Sequence, residues 1–230
     1  AEAAPAAGAL PQRKTHVDLP GDGGSSKCVM IENYFTVDEQ ADLFEALKTG
    51  IAWEQKQVHF DDGDGHVKTR TEPRHTAFYA DTGIVYQYSK RDNVGLPWTD
   101  TLLKIKKRAE DAVVACGLPA VCFNACHLNR YDGPNHSMGM HCDNEPDLKR
   151  GAPIGSCSFG CERMFTIQHK SDESLKTSIC LTPGSFVVMA GEMQDRYLHG
   201  LPPQANAKGM RINLTFRVCV PRPGSGPSFT

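Results

Sequence analysis

The segment Met210–Val220 alternates along its length. Arg211, Asn213, Thr215 and Arg217 fall on one face of an extended strand; Ile212, Leu214, Phe216 and Val218 fall on the other. Two readings are open. The strand lies at the surface with its polar side in water, or its polar face lines the interior of a barrel that receives an anion. An Arg at each end of that face suits a carboxylate, because a guanidinium fork donates two parallel hydrogen bonds.

The rest of the chain fits a β-rich second half behind a helical start. Residues 1–27 are rich in Ala, Gly, Pro and Ser and are expected to be a disordered tail, as is 221–230. Cys28–Tyr34 is a strand candidate. Thr36 and Glu39 form a capping box for a helix whose apolar stripe is Leu43, Phe44 and Leu47, with Gly50 at its end. A second helix is expected from Thr99 to Cys116, with Leu102, Leu103, Ala109 and Val113 inward. From Ala120 on, short apolar or alternating runs are separated by Gly, Pro and Asn: Val121–Tyr131, Ser156–Phe159, Arg163–His169, Ser178–Leu181 and Ser185–Ala190. Many short strands after helices suggest a sandwich or barrel with helices on one side, a mainly β chain of the α+β class.

His141 and Asp143 sit two apart, so on an extended segment their side chains point the same way, roughly 7 Å apart along the chain. One metal ion can take both. Two His and one carboxylate on one face of an octahedron leave three positions, which a bidentate 2-oxo acid and O₂ fill in non-heme Fe(II) oxygenases. H-x-D alone arises often by chance; it needs a distant His followed by an anion-binding Arg, and His199 and Arg211 supply both in that order. His136 competes for the distal place, but its Gly-, Pro- and Asn-rich setting favours a loop. The remaining histidines (16, 59, 66, 75, 127, 169) read as surface or satisfied core groups. Asp61–Gly65 resembles a calcium loop, but His66 falls where an oxygen ligand belongs and no closing Glu follows. Nine cysteines without a C-x-x-C pair read as reduced thiols.

Taken in order, Asn129-Arg-Tyr131, His141-x-Asp143 with Glu145, Ser158-Phe-Gly160 with Arg163, Gly184–Met189, His199 with Leu201-Pro202, and Arg211–Arg217 resemble the AlkB-type Fe(II)/2-oxoglutarate nucleic-acid dioxygenases, especially the eukaryotic DNA-repair homologues. The resemblance runs from about Pro73 to Arg217. It implies a double-stranded β-helix (jelly-roll) core at about 120–220 and an N-terminal nucleotide-recognition lid at about 53–98, within one domain spanning 28–220. It implies Fe(II) on His141, Asp143 and His199, 2-oxoglutarate on Asn129, Tyr131, Arg211, Asn213 and Arg217, and O₂ as the other co-substrate. It also implies nucleotide contacts. Tyr86 would meet the target nucleotide, Tyr88 would stack on a flipped base, and Arg74 would hold a phosphate or the lid itself. Asn144 and Glu145 would face the base, and Phe60 stands near where the duplex-repair homologues carry an intercalating finger. By themselves, Tyr86 and Tyr88 read equally as half-buried strand aromatics. The family's duplex-repair members have Asp immediately after the metal-binding Asp; this chain has Asn144, which carries no charge.

The expected activity is oxidative removal of N-linked methyl groups, as in 1-methyladenine and 3-methylcytosine, from DNA or RNA, with DNA the first expectation. The alternatives are the same oxygenase acting on 5-methylcytosine, N6-methyladenine or protein, and a catalytically silent nucleic-acid-binding module. A net charge of −2 gives no global pull toward nucleic acid, so any binding must come from a local patch. No apolar run is long enough to span a bilayer and no signal peptide is evident. A monomer inside the cell is expected, with no membrane partner, and the resemblance points to the nucleus.

Overall fold

The computed structural model describes residues 10–220 except 62, 65, 89 and 90; at 58–61, 87, 88 and 91 it describes the backbone alone. In chain order the elements are β1 (Arg13–His16), β2 (Ser26–Glu32), α1 (Val37–Gly50), β3 (Gln57–Asp61), β4 (Val67–Thr71), β5 (His75–Ala80), β6 (Val85–Tyr88), β7 (Arg91–Val94) and α2 (Asp100–Ala115). They continue with β8 (Ala125–Tyr131), β9 (Met138–His141), β10 (Ile154–Gly160), β11 (Arg163–His169), β12 (Asp172–Leu181), β13 (Phe186–Gly191), α3 (Met193–Arg196), β14 (Tyr197–Leu201) and β15 (Arg211–Arg217).

Both long helices begin where their caps place them. The Thr36 side chain accepts from the Glu39 backbone N–H while the Glu39 carboxylate accepts from the Thr36 N–H, the reciprocal pairing of a capping box. Thr99 caps α2 through the Leu102 N–H. On α2 the buried stripe is Leu102, Ile105, Ala109, Ala112 and Val113; Leu103, expected inside, is 45% exposed. Its place at the core is taken by Ile105, three residues after Leu102 on the same helix face.

A seven-stranded antiparallel sheet runs β1-β2-β13-β10-β15-β8-β5, and a four-stranded one runs β12-β11-β14-β9. Two ribbons, β3-β4 and β6-β7, lie in the region expected to form the lid. Strand β15 sits between β10 and β8, and all its residues are buried, which rules out the surface-strand reading. Its apolar face, Ile212, Leu214 and Phe216, joins the core that α1 and α2 cover with Leu47, Leu102 and Ile105. Its polar face looks the other way, into a cavity shared with the four-stranded sheet. Gly160 ends β10 at φ 81°; a Cβ there would come within 2.3 Å of the Met210 carbonyl oxygen, so the close approach to the start of β15 needs glycine.

The jelly-roll expectation is corrected by these ladders. The larger sheet stops at β1 and β5 and the smaller at β12 and β9, and no ladder among the described residues joins one edge to another. Among the described residues the fold is mixed α+β, with three helices and several antiparallel sheets and no closed or curled sheet. The alternation that suggested a barrel interior comes instead from a strand covered by helices on one face and by a second sheet across a cavity on the other. The expected N-terminal tail is also corrected over residues 10–27, which include β1 and the start of β2; β2 pairs with β13 and lends Cys28 and Met30 to the interior. The tail expected at 221–230 lies outside the described residues.

Phe159 is fully buried, its ring 5.1 Å from that of Phe35. Phe159→Ala should cost about 3–5 kcal/mol through lost burial and the cavity left behind. The check is the urea midpoint, which should fall at unchanged slope.

Candidate active site

The metal-ligand set forms where β9 ends beside the middle of β14 in the small sheet. β9 delivers His141 and β14 pairs His199 directly opposite it, so the ring centroids are 4.4 Å apart. Asp143 follows one residue beyond Cys142, with its Oδ1 3.8 Å from His141 Nε2. One ligand atom from each of His141, Asp143 and His199 lies within 4.8 Å of the others. The Gly139 carbonyl oxygen, 2.9 Å from His141 Nδ1, can only accept, so Nδ1 carries the proton and Nε2 keeps its lone pair for a metal. Gln194 Oε1 accepts from the Asp143 backbone N–H at 2.8 Å.

Arg217 Nη2 donates to both Asp143 oxygens at 2.9 Å. Burial alone would raise the Asp143 pKa, but Arg217 foremost, then His199 and His141, hold it well below the usual carboxylate range. Burial and the neighbouring His141 push His199 down to about 3, so its ring is neutral, as a metal ligand must be.

The cavity beside these ligands encloses about 640 Å³ counting its open mouth. Its floor is built of cross-strand pairs of β15 and β8: Arg211 opposite Tyr131, Asn213 opposite Asn129, Thr215 opposite His127. Arg211 Nη2 donates to Ser158 Oγ at 3.0 Å, and its Nε is buried with no protein partner. Burial pushes Arg211 down to about 10, still charged at neutral pH. The Asn213 amide donates to Ser156 Oγ and the Cys157 carbonyl and accepts from Thr215. Arg74 Nε donates to Asn129 Oδ1 at 2.8 Å, which orients that amide.

The expected nucleotide contacts are not all brought to this cavity. Arg74 is buried against Asn129 and Glu72, which ties the start of β5 to the floor. Tyr86 is fully buried, stacked on Phe78 with Arg217 5.8 Å from its ring centre. Asn144 and Glu145 line an adjoining cavity that shares Asp143 and Arg217. Burial and Asp143 raise the Glu145 pKa. Phe60 and Tyr88 lie on β3 and β6, but their side chains are outside the described residues.

His127 reads in the sequence as a surface or satisfied core group, although alternation back from Tyr131 and Asn129 puts it on the same face of β8. It lines the cavity, edge-on to Phe78 and Tyr86. Burial, then Arg217, Arg74 and Lys56, drives its pKa well down, so it too is neutral. Gln194 was missed as well. It carries no signal, because its relation to Asp143 exists only once α3 is in place.

The model of the 2OG-Fe(II) oxygenase superfamily matches residues 27–217. This chain belongs to the AlkB-type 2OG-Fe(II) oxygenases. It is 30% identical to the DNA oxidative demethylase ALKBH2 of Arabidopsis thaliana, over 94% of this chain and 72% of the relative. It is also 30% identical to the alpha-ketoglutarate-dependent dioxygenase alkB homolog 3 of Bos taurus, over 87% and 68% respectively. With human DNA oxidative demethylase ALKBH2 the identity is 33%, over 65% of this chain and 58% of the relative. The solved structure of OsALKBH1 superposes with a TM-score of 0.60 at 18% identity, covering 90% of this chain and all of that one, a likeness of fold. This AlkB-type chain is therefore an Fe(II)/2-oxoglutarate-dependent dioxygenase. The donor set fits the metal: two imidazoles and an ionised carboxylate converge, and the orphaned Arg211 Nε offers a dicarboxylate a partner.

In the metal-free protein, stability should fall as pH drops below about 6.5. The unfolded state then binds protons that the buried, neutral His199 and His127 refuse, at up to about 1.4 kcal/mol per pH unit for each. Asp143 is ionised in both states until the unfolded carboxylate range near 4, so it adds no slope above that. The raised Glu145 works the other way over part of the window and offsets only part of the effect. Urea midpoints at pH 7.5 and 5 measure this, and His127→Leu should remove part of the difference. A pH-independent midpoint would refute the neutral, buried assignment.

Proposed function

We propose that the enzyme is an oxidative demethylase of N-methylated bases in nucleic acid, acting on 1-methyladenine and 3-methylcytosine and on DNA in preference to RNA. The reading rests above all on one observation: His141, Asp143 and His199 converge at one end of a cavity whose floor leads to Arg211. The names of the relatives supply the substrate class. On this reading His141, Asp143 and His199 hold Fe(II), and Arg211 pairs with the distal carboxylate of 2-oxoglutarate over the Tyr131 ring. Asn129 and the Asn213–Ser156 pair shape the floor beneath it. Bound iron with 2-oxoglutarate and O₂ supplies the oxidation, yielding succinate and CO₂ and hydroxylating the methyl group, which then leaves as formaldehyde.

The chain's own part is to bind, orient and exclude water. Arg217 is committed to Asp143, so its role is to keep that ligand ionised and aimed, ahead of any contact with the co-substrate. Asn144 and Glu145, next along the chain, stand at the adjoining cavity, where a base drawn out of its stack would be read. On the same reading the enzyme acts as a monomer on nuclear DNA. Among the described residues no helix is long and apolar enough to cross a membrane.

The test is turnover with Fe(II), ascorbate and 2-oxoglutarate on matched single- and double-stranded DNA and RNA oligomers carrying one methylated base, followed by mass spectrometry. Methyl loss is expected with the native chain and none with Asp143→Ala; retained activity in that variant would sink the metal assignment. Succinate without methyl loss would keep the oxygenase and reassign its substrate, the reading that the uncharged Asn144 favours. Asn144→Asp should raise kcat/KM for cationic 1-methyladenine roughly tenfold, the worth of one hydrogen bond to a charged group at about 1.4 kcal/mol. An unchanged value would place Asn144 away from the base.

A further inference from the structure

A second group of metal-ligating side chains stands apart from the active site. His75 opens β5, Asp132 follows the last residue of β8, and His136 lies in the loop before β9. One ligand atom from each lies within 4.8 Å of the others, all three residues are half-buried, and none lines the main cavity. His75 Nδ1 is 3.0 Å from Asp132 Oδ2, close to the roughly 3.3 Å edge of a tetrahedron with bonds of about 2.0–2.1 Å, the Zn–N and Zn–O range.

That contact lies outside hydrogen-bond geometry, and Nδ1 is buried with no hydrogen-bond partner. A nitrogen and an oxygen held at this distance without a well-aimed proton between them are placed as two ligands of one cation would be. The other Asp132 oxygen accepts from Arg130 Nε at 2.7 Å, which fixes the carboxylate plane and leaves Oδ2 for the metal. The cost is a nearby positive charge, so this site should bind more weakly than one without it. His136 Nδ1 accepts from the Asp132 backbone N–H at 3.1 Å, so its lone pair already faces the cluster. Metal binding exchanges that hydrogen bond for a coordinate bond, and the freed N–H, half-buried, can turn to water.

The frame is already set. Ser137 N–H donates to the Pro73 carbonyl, and Arg163 Nη2 donates to the His136 carbonyl. His75 faces Arg130 across the β5–β8 ladder.

We propose that His75, Asp132 and His136 form a second divalent-metal site, suited to Zn²⁺ with water in the fourth position. It would staple the start of β5 to the loop that leads into the His141 strand. The site is independent of the oxygenase reading. Two imidazoles and one carboxylate in tetrahedral array suit zinc, whereas calcium and magnesium would ask for more oxygen.

The test uses protein carrying His141→Ala and Asp143→Ala, so that the first centre holds no metal. Equilibrium dialysis against Zn²⁺ should leave one equivalent bound, and adding His75→Gln and His136→Gln should reduce it to none. Co²⁺ in place of Zn²⁺ should give the visible absorption of a tetrahedral site in the first protein only. Zn²⁺ should raise the Tm of the first protein and leave the second unmoved. If the fourfold variant does not fold, Asp132→Asn on the same double-Ala background carries the test, with loss of the bound equivalent expected. No bound zinc in the double-Ala protein would overturn the site, leaving an ordinary His–Asp–Arg polar cluster. An equivalent that survives removal of both histidines would overturn it too.

Discussion

The Asp143 carboxylate is 4% exposed and yet ionised, and much else in this fold follows from how that is arranged. A lone buried carboxylate would take up a proton, and a protonated acid is a poor metal ligand. Arg217 prevents this by donating to both oxygens from Nη2 and to one of them from Nε, while Asp143 in turn raises the Arg217 pKa against its own burial. Arg217 reaches that position only because it ends β15, held on both sides by β10 and β8. The large sheet thus sets the electrostatics of a ligand on the small sheet's side of the cavity. Breaking such a pair by removing one partner leaves a buried charge unmatched, so neither member can drift independently.

Arg211, at the other end of the same strand face, is the opposite case. Its charge is buried, its Nη2 donates to a neutral hydroxyl, and its Nε has no protein partner. A buried cation without an anion is costly, and its pKa shows the strain by coming down. A dicarboxylate that enters the cavity meets a guanidinium already desolvated, oriented by Ser158 and stacked near Tyr131. The two arginines therefore divide the work that the polar face of β15 suggested. One is satisfied within the protein and holds a metal ligand; the other keeps a buried nitrogen without a protein partner.

That division was half legible in the sequence. Alternation put Arg211, Asn213, Thr215 and Arg217 on one face, and the order of His141, Asp143, His199 and Arg211 pointed to the chemistry. Alternation cannot tell which arginine has a partner, because the partner of Arg217 lies 74 residues away in the chain. His199 was identified without its strand: β14 is too short and mixed to announce itself, and only pairing with β11 and β9 makes it extended. The sheets' failure to close was not legible either, since period-two patterning reports which face is buried and is silent on what an edge strand meets. His127 and His75 were passed over as ordinary histidines because a histidine's meaning depends on neighbours distant in sequence.

Tyr86 shows the same limit from the other side. The resemblance implies a nucleotide contact for Tyr86, which the sequence reads equally as a half-buried strand aromatic; the ring stacks on Phe78, stands edge-on to His127 and covers Arg217. Covering has a physical consequence. Excluding water from the Arg217–Asp143 pair lowers the local dielectric, and the attraction between two charges a few ångströms apart rises several-fold as the surroundings change from water-like to protein-like. The aromatic cluster of Phe78, Tyr86 and His127 strengthens the ion pair by being dry, with two rings that carry no charge and an imidazole kept neutral by the same burial. Asp143 also lines the adjoining cavity, where exposed Asn144 and half-buried Glu145 follow it along the chain.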